Sequence, residues 1–495
     1  MGRLYNKVAL RRFQMIGVSQ NKSPDLIPGQ EFHMDIYENY QSPFSWRYGS
    51  NEMRKIWSEV NKRKLWRRLW VALATAQSEF GLVTGAQVKE LAQHAGEIDI
   101  ETALKIEAEI HHDLMAELKT FASQCPTAGG VIHMGATSMD IEDNADVLRM
   151  RQALDLVIAK LASLLFSLSE RIKETADLPI MAYTHLQPAE PSTFGYRLSV
   201  IAQDLLEDWQ NLKAVRLNLR GKGFKGAVGT AAAYMDLLGA QNYARFEDLL
   251  SIDLDLPFYP ISTQTCTRKQ DYAVISALAG LGATLHKFAF DLRVLQSPSI
   301  GEVNEYFAPK QVGSSAMPFK RNPINAEKID SLARQLSVYP QIAWQNAATN
   351  LLERTLDDSA NRRTLLPESF LICDEMLQVM GKLVARMTVD RETILRNLET
   401  YAPFACTERI MMALSKKGAD RQETHELLRA HAMTAWQAVK KGEKNPLTSL
   451  LLQDAAITKW LQTAEIEELT DVSLYTGISS IASVNLAGII QKSVQ

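Results

Sequence analysis

The chain has little of what marks a secreted, metal-bound or membrane protein. Its 495 residues hold only four cysteines, Cys125, Cys266, Cys373 and Cys406, far apart and without a C-x-x-C pair. That spacing speaks against a disulfide framework and against a zinc cage, and it makes a reducing compartment the default. No pair among the nine histidines has H-E-x-x-H spacing, so a zinc helix is not supported. The longest nearly apolar run, YAVISALAGLGATL at residues 272–285, is too short to span a bilayer and reads as a buried helix. A formal net charge of -3 gives no general attraction for nucleic acid, so any basic site must be local. Acids are missing from the first 24 residues, where Arg3, Lys7, Arg11, Arg12 and Lys22 precede Asp25. Targeting peptides and disordered arms share that pattern.

Strand-like alternation is also scarce, and helical spacing takes its place. Ser50 with Glu52 reads as an N-cap with an acid in the first turn, followed by Met53, Ile56, Trp57 and Val60 at helical intervals. From Arg151 the apolar positions Leu154, Val157, Ile158, Leu161, Leu165, Leu168 and Ile172 keep a 3.6-residue period for about six turns, which points to a bundle. Similar long patterns cover residues 196–219, 271–295 and 326–346, with turn-rich breaks at 126–130, 221–229 and 256–263. The expectation is an all-α chain with two or three domains and shorter helices after about Thr388. GKGFKG at 221–226 formally matches G-x-G-x-x-G, but a helical stretch and not a strand precedes it. It reads as a loop joining helices, with Lys222 and Lys225 still available to an approaching ligand.

Three segments carry candidate chemistry. GSSAMPFKRNP, residues 313–323, joins two serines, a Met-Pro pair and a Lys-Arg-Asn triplet with no acid among eleven positions. Lys320 and Asn322 suit a carboxylate, amides around the serines suit developing negative charge, and a serine there suits proton transfer. The plain alternative is an exposed loop with N-cap serines. ERTLDDSANRR, residues 353–363, offers i,i+4 ion pairs of Arg354 with Asp358 and of Asp358 with Arg362. If helical, it also puts Ser359 and Arg363 on one face, a donor set for phosphate oxygens. RYGS, residues 47–50, repeats such a set at a helix start. His112, beside Asp113, and His185, after Thr184, are either structural or the proton carriers of a site.

GSSAMPFKRNP resembles the signature loop of the fumarase/aspartase superfamily. With ERTLDDSANRR, RYGSNEM and STQTCTRKQDY, the chain resembles the adenylosuccinate lyases within it, from about Ser42 to about Gln437. The resemblance implies a mostly helical subunit with a central long-helix bundle, assembled as a homotetramer whose active sites are each shared among three subunits. It divides the chain into an extension at 1–41, an N-terminal helical domain at 42–136, the bundle at 137–388 and a C-terminal helical domain at 389–495. It further implies a cytoplasmic enzyme of purine biosynthesis, without cofactor, metal, nucleic-acid partner or membrane, that releases fumarate by β-elimination.

By the same resemblance Ser314 is the base, His185 the general acid, Glu327 the carboxylate that orients it, and His112 a second histidine at the substrate. Lys320 and Asn322 match the carboxylate-binding pair. Thr137, Ser138 and Gln264 match positions around the succinyl portion, with Thr184 and Asp113 beside the two histidines. Arg47 and Tyr48 match one part of a phosphate site and Arg354, Ser359 and Arg363 the other. One departure stands out: His111 occupies a position where the family commonly has arginine, which removes a permanent charge and a forked donor. The rival expectations are another fumarate-releasing lyase, such as an argininosuccinate lyase whose substrate carries no phosphate, and a catalytically silent helical oligomer.

Overall fold

The computed structural model describes residues 38–494. The acid-free start and most of the extension 1–41 lie outside them. The described residues 38–46 belong to a unit of their own, with a short 3-10 turn at Pro43–Ser45 that starts where the Ser42 hydroxyl accepts the Phe44 amide at 3.4 Å.

From Arg47 onward the elements run in chain order as follows. The first are α1 (Asn51–Ile56), α2 (Glu59–Ser78), α3 (Gly85–His94), α4 (Ile100–Ile110) and α5 (Asp113–Gln124). Next come α6 (Ser138–Glu174), the strands β1 (Pro179–Thr184) and β2 (Gln187–Thr193), α7 (Phe194–Leu217), α8 (Ala232–Leu238), α9 (Tyr243–Leu254) and α10 (Arg268–Gln296). Then follow β3 (Val303–Asn304), α11 (Ile324–Ala348), α12 (Asp357–Arg386) and β4 (Thr388–Val389). The last are α13 (Arg391–Lys416), α14 (Arg421–Lys440), α15 (Leu447–Gln453), α16 (Ala455–Thr458), α17 (Thr463–Thr470) and α18 (Ser479–Val494). The all-α expectation is met; among the described residues the strands make two antiparallel pairs, β1 with β2 and β3 with β4.

Ser50 caps α1 as its sequence suggests, accepting the Met53 amide at 3.2 Å. The helix nevertheless stops at Ile56 instead of running through Val60, because Ser58 accepts the Asn61 amide at 3.2 Å and starts α2 afresh.

Five long helices, α6, α7, α10, α11 and α12, pack side by side as the bundle, and α18 returns from the C-terminal end to lie on α6 and α7. α6 has 37 residues, about 55 Å of helix. It begins well before Arg151, where its apolar period first becomes readable. Its opening turns bury Asp140, Asp143 and Asn144 among apolar neighbours, so polar residues occupy positions that a core stripe would give to leucine. α12 lacks a clean stripe for the same reason: Pro367 interrupts it, and Asp358, Asp374 and Glu375 are buried. α6 and α10 are long and apolar enough to cross a membrane, yet both bury their apolar sides against bundle neighbours.

After Thr388 a separate small core gathers Ile410, Leu414, Leu428, Leu447, Leu451, Ile457 and Ile466. Its first two helices, α13 with 26 residues and α14 with 20, are longer than the broken sequence pattern suggests. Pro403 lies inside α13, so a residue that usually ends a helix is carried within one.

The GKGFKG loop is committed to structure. Buried Asp140 pairs with Lys222 and accepts the amides of Lys225 and Gly226, each at 3.1 Å, while Lys225 pairs with Glu247. Lys222 therefore locks the loop to the first turn of α6 and Lys225 ties it to α9, so both ammonium groups are committed to partners within the fold.

Candidate active site

The predicted residues separate into three groups, and α10 measures their separation. At its Arg268 end stand His112, Asp113, Thr137, Ser138, Gln264, Arg354, Ser359 and Arg363. His112 caps α5, with Nδ1 accepting the Met115 amide at 3.4 Å. The neutral ring then carries its proton on Nε2, which lies 3.5 Å from Ser138 Oγ. Thr137 precedes α6, its amide donating to Asp140 at 3.1 Å. The Gln264 amide donates to the Glu353 carbonyl at 3.2 Å and ties the segment before α10 to the one before α12. Ser359 lies in the first turn of α12, and Arg363 follows one turn later, bonded to Asp113 at 2.9 Å. Asp113, Arg354, Ser359 and Arg363 share the wall of a cavity of about 150 Å³.

Beneath that cavity lies a lattice of buried charge that the sequence did not disclose. Arg268 holds Asp143 at 2.9 Å and also pairs with Asp358, whose other oxygen accepts from Arg354 at 2.9 Å. Arg362 binds Asp271 at 2.7 Å and Asp146 at 3.2 Å, and Arg149 pairs with Asp146 too. The Arg354–Asp358 i,i+4 pair therefore forms, whereas the Arg362 guanidinium turns to α6 and α10 instead of Asp358. Burial works to raise the Asp146 and Asp358 carboxyls, but the surrounding arginines outweigh it and hold both below the usual range. Such groups stay charged only because each has partners.

At the Gln296 end stands the loop 313–323. Ser314 Oγ accepts the amides of Met317 at 3.0 Å and Ala316 at 3.3 Å. Asn322 donates across the loop base to the Gly313 carbonyl at 2.9 Å, and Lys320 is exposed. A Cβ on Gly313 would lie 2.1 Å from the Lys320 carbonyl, so the loop closes this tightly only with glycine there. Glu305 anchors the far side by accepting the amides of Asn325 and Ala326 at 3.2 and 2.7 Å. Gln296 at the end of α10 reaches the Arg321 carbonyl at 3.1 Å.

The hairpin of β1 and β2 reaches the same end, since Leu186 and Gln187 share a cavity with Arg293, Val294 and Ser297. Thr184 pairs with Gln187, and His185 and Leu186 form the two-residue tip with φ of 53° and 59°. Non-glycine residues rarely hold that conformation, and strained positions of this kind gather at functional sites. Glu327 stands 3.8 Å from Arg293, and among the described residues no hydrogen bond or ion pair joins it to His185.

Arg47 and Tyr48 form the third group. Their segment is moored to α12 by the Gly49 amide on Glu375 at 3.0 Å and the Ser50 amide on Asp374 at 2.6 Å. Those anchors lie roughly 20 Å along α12 from Ser359 and Arg363. The first two groups are farther apart still, because α10, with 29 residues, separates them by about 40 Å.

Sequence reasoning missed His133, five residues before Ser138. Its φ is 69°, its Nδ1 accepts the Trp70 indole N–H at 3.0 Å, and burial lowers its pKa, with His112 adding to the effect against the pull of Asp140. It missed Glu142, one turn beyond Ser138, on the cavity wall. Spacing along α6 was the available signal for Glu142; none pointed to His133. His111 caps α4 in the left-handed conformation, φ 54°, which histidine tolerates better than most residues. Among the described residues no group of three His, Cys, Asp or Glu side chains is placed to hold a metal ion.

Comparison with known proteins adds independent findings. A family model described as Lyase matches residues 45–337, and one described as Adenylosuccinate lyase C-terminus matches residues 403–481. The adenylosuccinate lyase of Saccharomyces cerevisiae is 38% identical over 455 residues, covering 90% of this chain and 93% of its own. That of Schistosoma mansoni is 40% identical over 428 residues, covering 85% and 89%. That of Archaeoglobus fulgidus is 35% identical over 435 residues, covering 88% and 95%. Among solved structures, the 3-carboxy-cis,cis-muconate lactonizing enzyme of Pseudomonas putida superposes with a TM-score of 0.82 at 25% identity, over 92% of this chain and 100% of its own. A fumarate lyase from Mesorhizobium gives 0.79 at 23% identity, over 91% and 99%.

Proposed function

This chain belongs to the adenylosuccinate lyase family, and from that premise we propose that it is a carbon–nitrogen lyase of purine nucleotide biosynthesis. It releases fumarate from adenylosuccinate to give AMP, and from the succinyl-carboxamide ribotide SAICAR to give AICAR. One observation carries the reading: a loop whose serine accepts two amides accompanies a separate cavity lined by arginines and a serine. A lyase acting on small acids alone has no phosphate to hold, so the second feature favours a nucleotide substrate over argininosuccinate.

Ser314 Oγ takes the proton from the succinyl Cβ. The amides of Ala316 and Met317 favour its alkoxide form, because hydrogen bonds to a charged form stabilise that form. Lys320 lies against the carboxylate that gathers charge, and Asn322 holds the loop shut. The C–H electron pair becomes the new C=C bond, the C–N bond breaks, and His185, oriented by Glu327, delivers a proton to the departing nitrogen. His112 assists at the substrate, and Thr137, Ser138, Thr184 and Gln264 surround the succinyl portion. Arg354, Ser359 and Arg363, with Arg47 and Tyr48 contributed by another copy of the chain, take the phosphate. No step calls for a cofactor.

About 40 Å separates the Ser314 and His112 groups within one chain, far beyond the length of the substrate. The reading therefore requires other copies of the chain, and a homotetramer with each site shared among three subunits meets that requirement. The division of the chain at 42–136, 137–388 and 389–495 and a cytoplasmic location belong to the same reading.

The test is ultraviolet-monitored turnover of purified protein with adenylosuccinate, run beside argininosuccinate, with products identified by mass. Fumarate and AMP from the first substrate alone is the expected result. Turnover of argininosuccinate alone would move the assignment to the rival lyase, and silence with both would favour a non-catalytic oligomer.

A further inference from the structure

Glu142 is the one acid on the wall of the Arg354–Ser359–Arg363 cavity whose carboxyl is engaged by no hydrogen bond or ion pair of 4 Å or less among the described residues. It stands one turn beyond Ser138 on α6, on the same side as Met139, which also lines the cavity. The charged groups that share that wall come from several elements. α2 brings Glu59 and Lys62, α5 brings Asp113, and α6 itself brings Asp143, Asp146 and Arg149. Arg268 comes from α10, Arg354 from the segment before α12, and Asp358, Arg362 and Arg363 from α12. The wall thus carries six cations and six acids, counting Glu142. With Glu142 neutral, six positive charges face five negative ones; with it ionised the wall has no net charge. Only the first state favours a dianion.

We propose that Glu142 is a phosphate-recognising residue: as a neutral carboxyl it donates a hydrogen bond to an oxygen of the nucleotide phosphate that Arg354, Ser359 and Arg363 also hold. This rests on the nucleotide reading above and adds to it a donor that repels the ligand once ionised. Burial first, then the charges of Asp113, Asp146 and Asp143, push the Glu142 carboxyl up to about 8, with Lys62 opposing. The group is therefore mostly protonated at neutral pH and loses its proton as pH rises through 8, and a phosphate dianion in the cavity raises that midpoint further.

The experiment is calorimetric titration of the intact protein with AMP between pH 7.5 and 9, with adenosine as the phosphate-free control. A phosphate monoester is already dianionic throughout this window, its second pKa being about 6. AMP affinity should fall about eightfold across it, the change that one proton with a midpoint near 8 produces when only the protonated form binds. Glu142→Gln keeps a neutral donor and should flatten the profile to less than about twofold. Asp113→Asn removes one of the charges that hold the proton on Glu142, and it should move the midpoint to lower pH even if the glutamine variant folds poorly. A flat wild-type profile with AMP still preferred over adenosine would overturn the role of Glu142 alone, as would an unchanged slope in Glu142→Gln. AMP bound no better than adenosine at any pH would overturn the phosphate reading and Glu142 with it.

Discussion

The two ends of α10 are built on opposite principles. At the Arg268 end, Arg149, Arg268, Arg354 and Arg362 interlock with Asp143, Asp146, Asp271 and Asp358 inside one chain. At the Gln296 end, Lys320 and the His185 tip are exposed, the Ser314 hydroxyl accepts two backbone amides, and among the described residues no hydrogen bond or ion pair joins Glu327 to His185. The ion pairs of the first end are completed within one chain, because its buried charges satisfy one another. The second is left open, an arrangement that suits the proton transfer proposed for it. A single chain therefore holds an interlocked lattice of charge and, far from it, a cluster of polar groups with few partners of their own.

The sharpest way to break this comparison is at the open end. If Ser314 is the base proposed above, Ser314→Ala should lower kcat by about a thousandfold or more while leaving the fold intact. Turnover within tenfold of the parent would take Ser314 out of the role.

At the closed end the larger effect falls on stability. Arg268→Met strands Asp143 and Asp358 without their main partner and should cost about 3–5 kcal/mol in denaturant unfolding. A loss below about 1 kcal/mol would mean that water reaches the lattice and that its rigidity has been overstated.

The separation itself is testable by mixing. His112→Ala and Ser314→Ala should each be nearly inactive, yet hybrids formed by co-refolding should regain roughly a quarter of parental activity, the share of random sites that draw intact residues from two chains. Continued silence in verified hybrids would mean that both residues must come from the same chain.

The fold was legible where apolar residues recur without interruption. The stripes in α7, α10, α11 and the later part of α6 are readable because hydrophobic burial dominates the packing there. Legibility failed at Asp140, Asp143 and Asn144, at Asp358 and at Asp374, where polar side chains take core positions because a partner from a distant segment satisfies them. For the candidate site, Ser314, Lys320 and Asn322 could be found together, since a tight loop keeps its residues adjacent in sequence. His133 left no such trace, and the helical spacing that marks Glu142 does not disclose its proton, because a tautomer set by the Trp70 indole and a proton held by burial and by neighbouring carboxylates are properties of surroundings.

Sequence alone determined the helical class, the acid-free signature loop and the family, since each is written in residue identity at short range. Tertiary structure alone decided that GKGFKG serves Asp140, that Arg362 turns away from Asp358, and that about 40 Å lies between Ser314 and His112. Those outcomes depend on which charges meet across separate helices, and a linear order of residues carries no distance between them.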